Sequence, residues 1–157
     1  MSVNEAAQVQ PINKICTDTT NLHMQTKKVE TAANMYPGRL VITGTNDDDV
    51  ITGTSGGAVY GWIGYEQVHK NYRPINISTI HVIADQTQII DGSGIILLAW
   101  LLSGETVVKG SRLIAADGGF VQLYATAGVA GALTVGIAEE SVASTDITCR
   151  LLVRSLI

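Results

Sequence analysis

The sequence predicts an all-β protein, a compact β-barrel or sandwich with an extended N-terminal arm. Between Gly104 and Ile157, short apolar runs alternate with Gly, Asp and Ser, without any apolar spacing long enough for a helix. Many of the runs are rich in β-branched residues, which pack well on a pleated surface and lose rotamer freedom in helices. We expect about eight to eleven strands, the range of small closed or nearly closed β folds.

The first 34 residues are polar, rich in Thr, Asn and Gln, and close to balanced in charge. A segment of this composition cannot bury enough apolar surface to order itself, so we expect residues 1–34 to form a flexible or extended arm. Such an arm could be deleted without unfolding the barrel. The remaining residues, 35–157, are expected to form one β-barrel-like domain with halves at about 35–75 and 76–157.

The two halves resemble each other at an offset of about 74 residues. Arg39-Leu40-Val41 matches Arg112-Leu113-Ile114, and Ile63-Gly64-Tyr65-Glu66 matches Ile137-Ala138-Glu139-Glu140. This spacing is too long for a solenoid repeat and suggests a duplicated half-barrel, although shared strand and turn composition would explain it equally well.

Turn residues divide the predicted strands. Asp117-Gly118-Gly119 stands between two apolar runs, which is a strong hairpin signal. Leu40-Val41-Ile42 and Val50-Ile51 flank an acidic segment at Asp47-Asp48-Asp49, which we interpret as a hairpin turn; a weak cation site there stays open. Ile95 to Leu102 is a short, continuous apolar run and predicts a strand buried on both faces.

Composition narrows the function classes. Hydrophobic residues make up 46% of the chain and charged residues only 15%, with a net charge of −4. Few charges are left to cover the surface, which favours burial in an assembly, so we expect a homo-oligomer or a larger complex. Without a basic cluster, nucleic acid is not an expected partner. The longest apolar run is too short for a membrane helix, so we expect no membrane partner either.

Sequence motifs that imitate catalytic or metal chemistry lack their context. Gly53-Thr54-Ser55-Gly56-Gly57 matches a nucleophile pattern, but the residues that follow predict a strand where that site needs a helix. His23, His69 and His81 do not have metal-ligand spacing. We therefore expect a protein that is not an enzyme and has no cofactor and no metal site.

One polar, aromatic loop is the best candidate for a binding surface. It runs from Gly64 to Pro74 and carries Tyr65, Tyr72 and Arg73. Tyr and Arg dominate binding hot spots, so these three residues are predicted to contact a partner protein or another subunit.

The C-terminal region resembles a known family. Its order of motifs is Val-Val-Lys-Gly, Arg-Leu, Asp-Gly, a strand, then Val-Gly-Ile-Ala-Glu-Glu-Ser and a last strand. This order is similar to that of the capsid decoration or cement proteins of tailed bacterial and archaeal viruses. The resemblance covers roughly the last 50 residues well, and the chain from about Met35 onward more weakly.

The resemblance implies a viral structural protein, made in the host cytoplasm, that decorates the capsid surface of the virion. It would stabilise the capsid by binding between neighbouring subunits of the major capsid protein. A β-rich fibre or carbohydrate-binding adhesion module of a virion is the alternative. A small hydrolase built around Ser55 is a weaker third hypothesis, because the helix and base that it needs are missing from the pattern.

Overall fold

The computed structural model describes residues 23–66, 83–84, 86–127 and 131–157, with residues 65, 66, 126 and 127 described by their backbone alone. The described chain is all-β, and its single α-helix, α1, is the four-residue segment Tyr124–Ala127. The strands are β1 His23–Val29, β2 Leu40–Thr43, β3 Asp49–Thr52, β4 Gly61–Glu66, β5 Gln86–Asp91, β6 Ile96–Trp100, β7 Thr106–Val107, β8 Arg112–Ala115, β9 Val121–Leu123, β10 Thr134–Ala138, β11 Val142–Ala143 and β12 Arg150–Ser155. These twelve strands slightly exceed the expected number, because β7 and β11 contain only two residues each.

The first five strands close into a barrel in the order β1-β3-β2-β4-β5. All its neighbouring pairs are antiparallel except β1 and β3, which run parallel and complete the closure. Alternate side chains point inward, as the two-residue period of a strand requires. The interior holds Val29, Met35, Val41, Val50, Ile63 and Ile89.

A second five-stranded sheet has the order β6-β12-β10-β8-β9. Its two edge strands meet at one parallel bridge between Leu101 and Val121, so this sheet curls toward closure, and it is called the second barrel below. The small β7–β11 ribbon belongs to neither barrel. The predicted hairpin at Asp117-Gly118-Gly119 is confirmed, since this turn joins the paired strands β8 and β9.

The two barrels have the same topology. If the closed first barrel is opened between β1 and β3, its strand order reads β1-β5-β4-β2-β3. Each of these strands corresponds to the strand at the same place in the order β6-β12-β10-β8-β9 of the second barrel. The registers agree as well: Val41 pairs with Gly61 in the first barrel as Leu113 pairs with Gly136 in the second. The parallel closure of Val29 with Val50 corresponds to that of Leu101 with Val121.

Backbone hydrogen bonds repeat the same correspondence at the turn before β2 and the turn before β8. The N–H of Gly38 donates to Ile63 O, and the N–H of Gly110 donates to Ala138 O, both at 2.8 Å. Both glycines have positive φ angles, 83° and 89°, which residues with a side chain rarely adopt. The structure therefore contains a duplicated five-stranded unit.

The structural correspondence differs by one residue from the one expected from sequence. Structurally, Val41 matches Leu113 and Ile63 matches Ala138, whereas the sequence match aligned Leu40 with Leu113 and Ile63 with Ile137. A shift of one residue moves a strand's side chains to the opposite face of the sheet. Consecutive residues at these positions are apolar, so the sequence alone does not show which of them point to the same face.

The outer wall of the first barrel covers the end of the second. Leu40, Trp62 and Ile90 form one row across β2, β4 and β5, pointing away from the first barrel's interior. They pack with the interior residues of the second barrel, including Leu97, Leu113 and Val153. The indole N–H of Trp62 donates to Ser155 Oγ at 3.1 Å. One continuous core thus joins the two barrels.

The predicted boundaries need correction in two places. The arm expected over residues 1–34 includes β1, which pairs with β5 over six residues, from His23 to Lys28, and is therefore part of the barrel. Residues 1–22 lie outside the described residues. The expected boundary between halves at 75–76 is also displaced, because the strands change from the first barrel to the second between Asp91 and Ile96.

Candidate functional site

The predicted interface residues lie at the margin of the described structure. Tyr65 belongs to β4, and its description is confined to the backbone. Tyr72 and Arg73 lie outside the described residues. The binding role of this loop stays a prediction.

The most elaborate side-chain arrangement is an aromatic joint between the barrels, formed by Tyr36, Arg39, Trp100, Phe120 and Arg150. The turn Tyr36–Arg39 precedes β2 and lies against the ends of β6 and β9, where Trp100 and Phe120 stand. The guanidinium carbon of Arg39 is 4.6 Å from the Trp100 ring centroid and 3.9 Å from that of Phe120. Tyr36 packs against Trp100 with ring centroids 5.4 Å apart and the ring planes tilted by 42°.

Hydrogen bonds fix the geometry of this joint. Arg39 Nη1 donates to Gly118 O at 3.0 Å, and Trp100 Nε1 donates to Pro37 O at 2.8 Å. The joint therefore ties the turn of the first barrel to the β8–β9 hairpin of the second. A guanidinium stacks on aromatic faces while still donating in its plane, which explains why Arg suits this position.

Burial sets the electrostatics of the joint. Arg39 is only 3% exposed, and its Nε has no hydrogen-bond partner among the described residues. Burial lowers the pKa of Arg39 to about 10; the Tyr36 hydroxyl opposes the shift and the charge of Arg150 adds to it. Arg39 therefore remains charged at neutral pH and is held by the aromatic rings.

Arg150 stands against Trp100 as well. It is paired with Trp100 across β12 and β6, and its guanidinium carbon lies 3.3 Å from the Trp100 ring centroid. Burial is also the main cause that lowers the pKa of Arg150. Trp100 thus contacts two guanidinium groups, and, besides burial, their mutual repulsion is one of the causes that lower the pKa of Arg39.

Ser55, at the centre of the nucleophile-like motif, lies in a turn between β3 and β4. Its backbone N–H donates to Asp117 Oδ1 at 2.8 Å, and its hydroxyl accepts from Gln122 Nε2 at 3.2 Å. No helix follows it before β4 begins at Gly61. These two contacts bind the turn that contains Ser55 to the second barrel.

The acidic hairpin turn between β2 and β3 is confirmed. Asn46 Nδ2 donates to Asp49 Oδ2 at 2.6 Å, and Lys27 Nζ donates to Asp47 O at 2.7 Å. Within the described ranges, His, Cys, Asp and Glu side chains form no group of three or more that could hold a metal ion. In the same part of the chain, no helix is both long and apolar enough to cross a membrane.

The second barrel exposes a turn equivalent to the one that forms the joint. Val108–Ser111 corresponds to Tyr36–Arg39, since Ser111 N donates to Val108 O as Arg39 N donates to Tyr36 O. Pro37, Gly38 and Arg39 are buried, whereas Val108 is 62% exposed and Lys109 and Gly110 are exposed too. Further large exposed apolar side chains are Met24, Ile83, Tyr124, Leu133, Ile147 and Leu156.

Sequence reasoning missed both the aromatic joint and this exposed turn. The available signal was the pair of segments Tyr36-Pro37-Gly38-Arg39 and Val108-Lys109-Gly110-Ser111, each ending where a strand begins. Apart from the shared Gly they have little in common, so only the repeated backbone geometry relates them.

Comparison with known proteins gives a likeness of fold. No family model matches the chain, and neither does any curated protein. Among solved structures, the chain is similar to the N base of the head fiber protein gp8.5 of bacteriophage phi29, with a TM-score of 0.56 and 11% sequence identity. The match covers 85% of this chain and 93% of that one, so it extends over both barrels. The likeness is therefore one of overall fold.

Proposed function

We propose that this protein is a structural protein of a bacteriophage head, located at the capsid surface of the virion. There it decorates and stabilises the capsid by binding between neighbouring subunits of the major capsid protein. It acts through binding alone, without catalysis and without a cofactor.

The observation that carries this proposal is the likeness of both barrels to the base of a phage head fiber. Fold alone does not determine function, so the argument also needs features of this chain. The similarity of its C-terminal motifs to capsid decoration proteins points to the same part of a virion.

The build of the molecule supports a binding role. The interior of the second barrel packs on the outer wall of the first, and the aromatic joint adds another contact between the two. Only 15% of its residues are charged, and several large apolar side chains are exposed. Surfaces of this kind are typical of proteins that function within assemblies. Copies of the protein itself are proposed as additional partners.

Co-sedimentation tests this function. Heads of the parent virus that lack the protein are mixed with purified protein and pelleted. We expect the protein to pellet with the heads and the heads to unfold at a higher temperature, because a ligand that binds only the folded assembly stabilises it. Protein that stays in the supernatant would refute the proposal.

A fibre base is the second candidate function, favoured by the same structural match. In that role the protein would attach to the head and hold a fibre, and it would not need to stabilise the head. Calorimetry of heads with and without the protein separates the two: binding that leaves the melting temperature unchanged favours the fibre base, and binding that raises it favours decoration.

A further inference from the structure

We propose that the exposed turn Val108–Ser111 is the element by which this protein attaches to the head, and that it docks on an apolar, aromatic patch of a head-shell protein. The inference rests on the proposed function and specifies the surface and the partner chemistry. It comes from comparing two copies of one structural element within this chain.

The first copy of the element is already docked. Tyr36 and Arg39 pack on Trp100 and Phe120, and Trp100 donates a hydrogen bond to Pro37 O. The receptor of this turn is thus a pair of aromatic rings at the closure of a five-stranded barrel. It shows what kind of surface the turn's backbone geometry fits.

The second copy has the same backbone geometry, and its described contacts lie within its own half of the molecule: Lys109 N donates to Ser141 Oγ at 3.0 Å, and Lys109 Nζ lies 3.8 Å from Glu139 Oε2. The N–H groups of Gly110, Ser111 and Ala138 make the hydrogen bonds that Gly38, Arg39 and Ile63 make in the first barrel. At the position of Tyr36 stands Val108, an apolar side chain that is 62% exposed. A β-branched apolar residue at the tip of a polar turn is costly to hydrate and gains free energy when it is covered.

A second exposed residue stands at another position through which the first barrel makes its contact. In the first barrel, the loop after β3 also contacts the second barrel, through Gly53 O, which accepts from Gly119 N at 3.0 Å. The equivalent segment after β9 begins at Tyr124, which is 39% exposed. Val108 and Tyr124 thus occupy the two places where the first barrel makes its contact.

A second copy of this chain does not fit as the receptor. Its Trp100 and Phe120 are occupied by its own turn. The equivalent closure of its first barrel carries Lys28, which is exposed, and Asp49, which is buried and accepts a hydrogen bond from Asn46. Covering Lys28 with Val108 would cost the hydration of its charge without an apolar gain. The complementary surface therefore belongs to another protein.

The test compares Val108→Asp with Leu133→Asp in the co-sedimentation assay with heads that lack the protein. Leu133 is also exposed, at 53%, and is therefore a matched apolar control. It precedes the first residue of β10, Thr134, whereas the turn Val108–Ser111 lies at the other end of β10, where Gly110 N donates to Ala138 O. Both variants should fold, which far-UV circular dichroism checks. We expect Val108→Asp to weaken binding by about tenfold or more, the scale of a hot-spot residue, and Leu133→Asp to bind like the wild type.

Three results would overturn the inference. If the wild type and Val108→Asp bind the heads equally well, the turn is not the attachment element, while the proposed function stands. If the wild type does not bind heads, both fail together. If sedimentation velocity shows wild-type oligomers that Val108→Asp converts to monomers, the receptor is a second copy.

Discussion

The two barrels share one chain path but close their corresponding ends by different means. In the first barrel, the inward positions of β1 are Gln25, Lys27 and Val29; in the second, the equivalent positions are Leu97, Ala99 and Leu101. Tyr60 covers the polar end by donating a hydrogen bond to Gln25 Oε1, with Lys27 Nζ 5.4 Å from its ring centroid.

The second barrel has no such polar cover over its apolar end and is closed instead by Leu40, Trp62 and Ile90 of the first. Although the topology is the same, the first barrel covers the end of its interior with its own polar side chains, whereas the end of the second barrel is covered by side chains of the first. The row equivalent to Leu40, Trp62 and Ile90 on the second barrel is Arg112, Ile137 and Arg154, in which both arginines are exposed. The outer wall of the second barrel is therefore charged at this row, like the polar outer face of a terminal repeat.

Deletion of β1 should destabilise the protein more than any of the substitutions proposed below. Removing residues 1–34 takes away the strand that pairs with both β3 and β5, so the first barrel opens and the second loses its cover. We expect the truncated chain not to fold cooperatively, as judged by circular dichroism and urea denaturation. Removing residues 1–22 leaves every described strand in place and should retain a cooperative transition. A cooperative transition in the longer deletion would show that β1 is dispensable.

Trp62→Ala is expected to have the next largest effect. Trp62 is fully buried and fills the end of the second barrel from outside, so its truncation should cost about 3–5 kcal/mol of unfolding free energy. Trp62→Phe keeps most of the packing but loses the hydrogen bond to Ser155, and should cost less. Urea denaturation measures both. A loss below about 1 kcal/mol for Trp62→Ala would mean that the second barrel covers its own end.

Sequence predicted the hairpins and the buried strand better than the arm. The turn at Asp117-Gly118-Gly119 and the acidic turn before Asp49 are built from residues that favour turns locally. The run Ile95–Leu102 is apolar on both faces, because one face lies in the core between the barrels and the other includes the buried Leu98 and Trp100. β1 is hidden because its inward positions Gln25 and Lys27 are polar, so the strand shows no apolar alternation. Its place in the barrel depends on pairing with distant strands, which no local pattern reports.

The aromatic joint was not predicted from the sequence. The interface predicted at Tyr65, Tyr72 and Arg73 stays a prediction. The joint brings together Arg39, Trp100 and Arg150, which are far apart along the chain. Their meeting follows from how the barrels dock. The exposed turn at Val108 becomes recognisable only by comparison with its buried counterpart.

Matched glycine substitutions test the equivalence of the barrels directly. A Cβ at Gly61 would lie 2.6 Å from Ile89 Cγ2 and 2.9 Å from Ile90 O, and one at Gly136 would meet Val153 Cγ1 and, at 2.8 Å, Arg154 O. We expect Gly61→Ala and Gly136→Ala each to cost about 1–3 kcal/mol of unfolding free energy, because backbone must shift in both. Gly131→Ala has open space around its Cβ and serves as a control for crowding, although its positive φ adds some strain. Losses that differ by more than about 2 kcal/mol between the two sites would argue against structural equivalence.

Tyr60→Phe should have the smallest effect and tests the polar cover of the first barrel. The change removes the hydroxyl that donates to Gln25 Oε1 and leaves the ring near Lys27 in place. Because Gln25 is only half-buried, water can replace the lost partner, so we expect a cost of about 0.5–1.5 kcal/mol. Gln25→Leu in the same background would give this position the residue type of Leu97 in the second barrel. If the polar cover exists to face solvent, that double variant should keep its stability but associate more strongly than the wild type, which sedimentation velocity detects. A double variant that associates no more than the wild type would show that the first barrel tolerates an apolar end, and that the contrast between the two closures is not imposed by solvent.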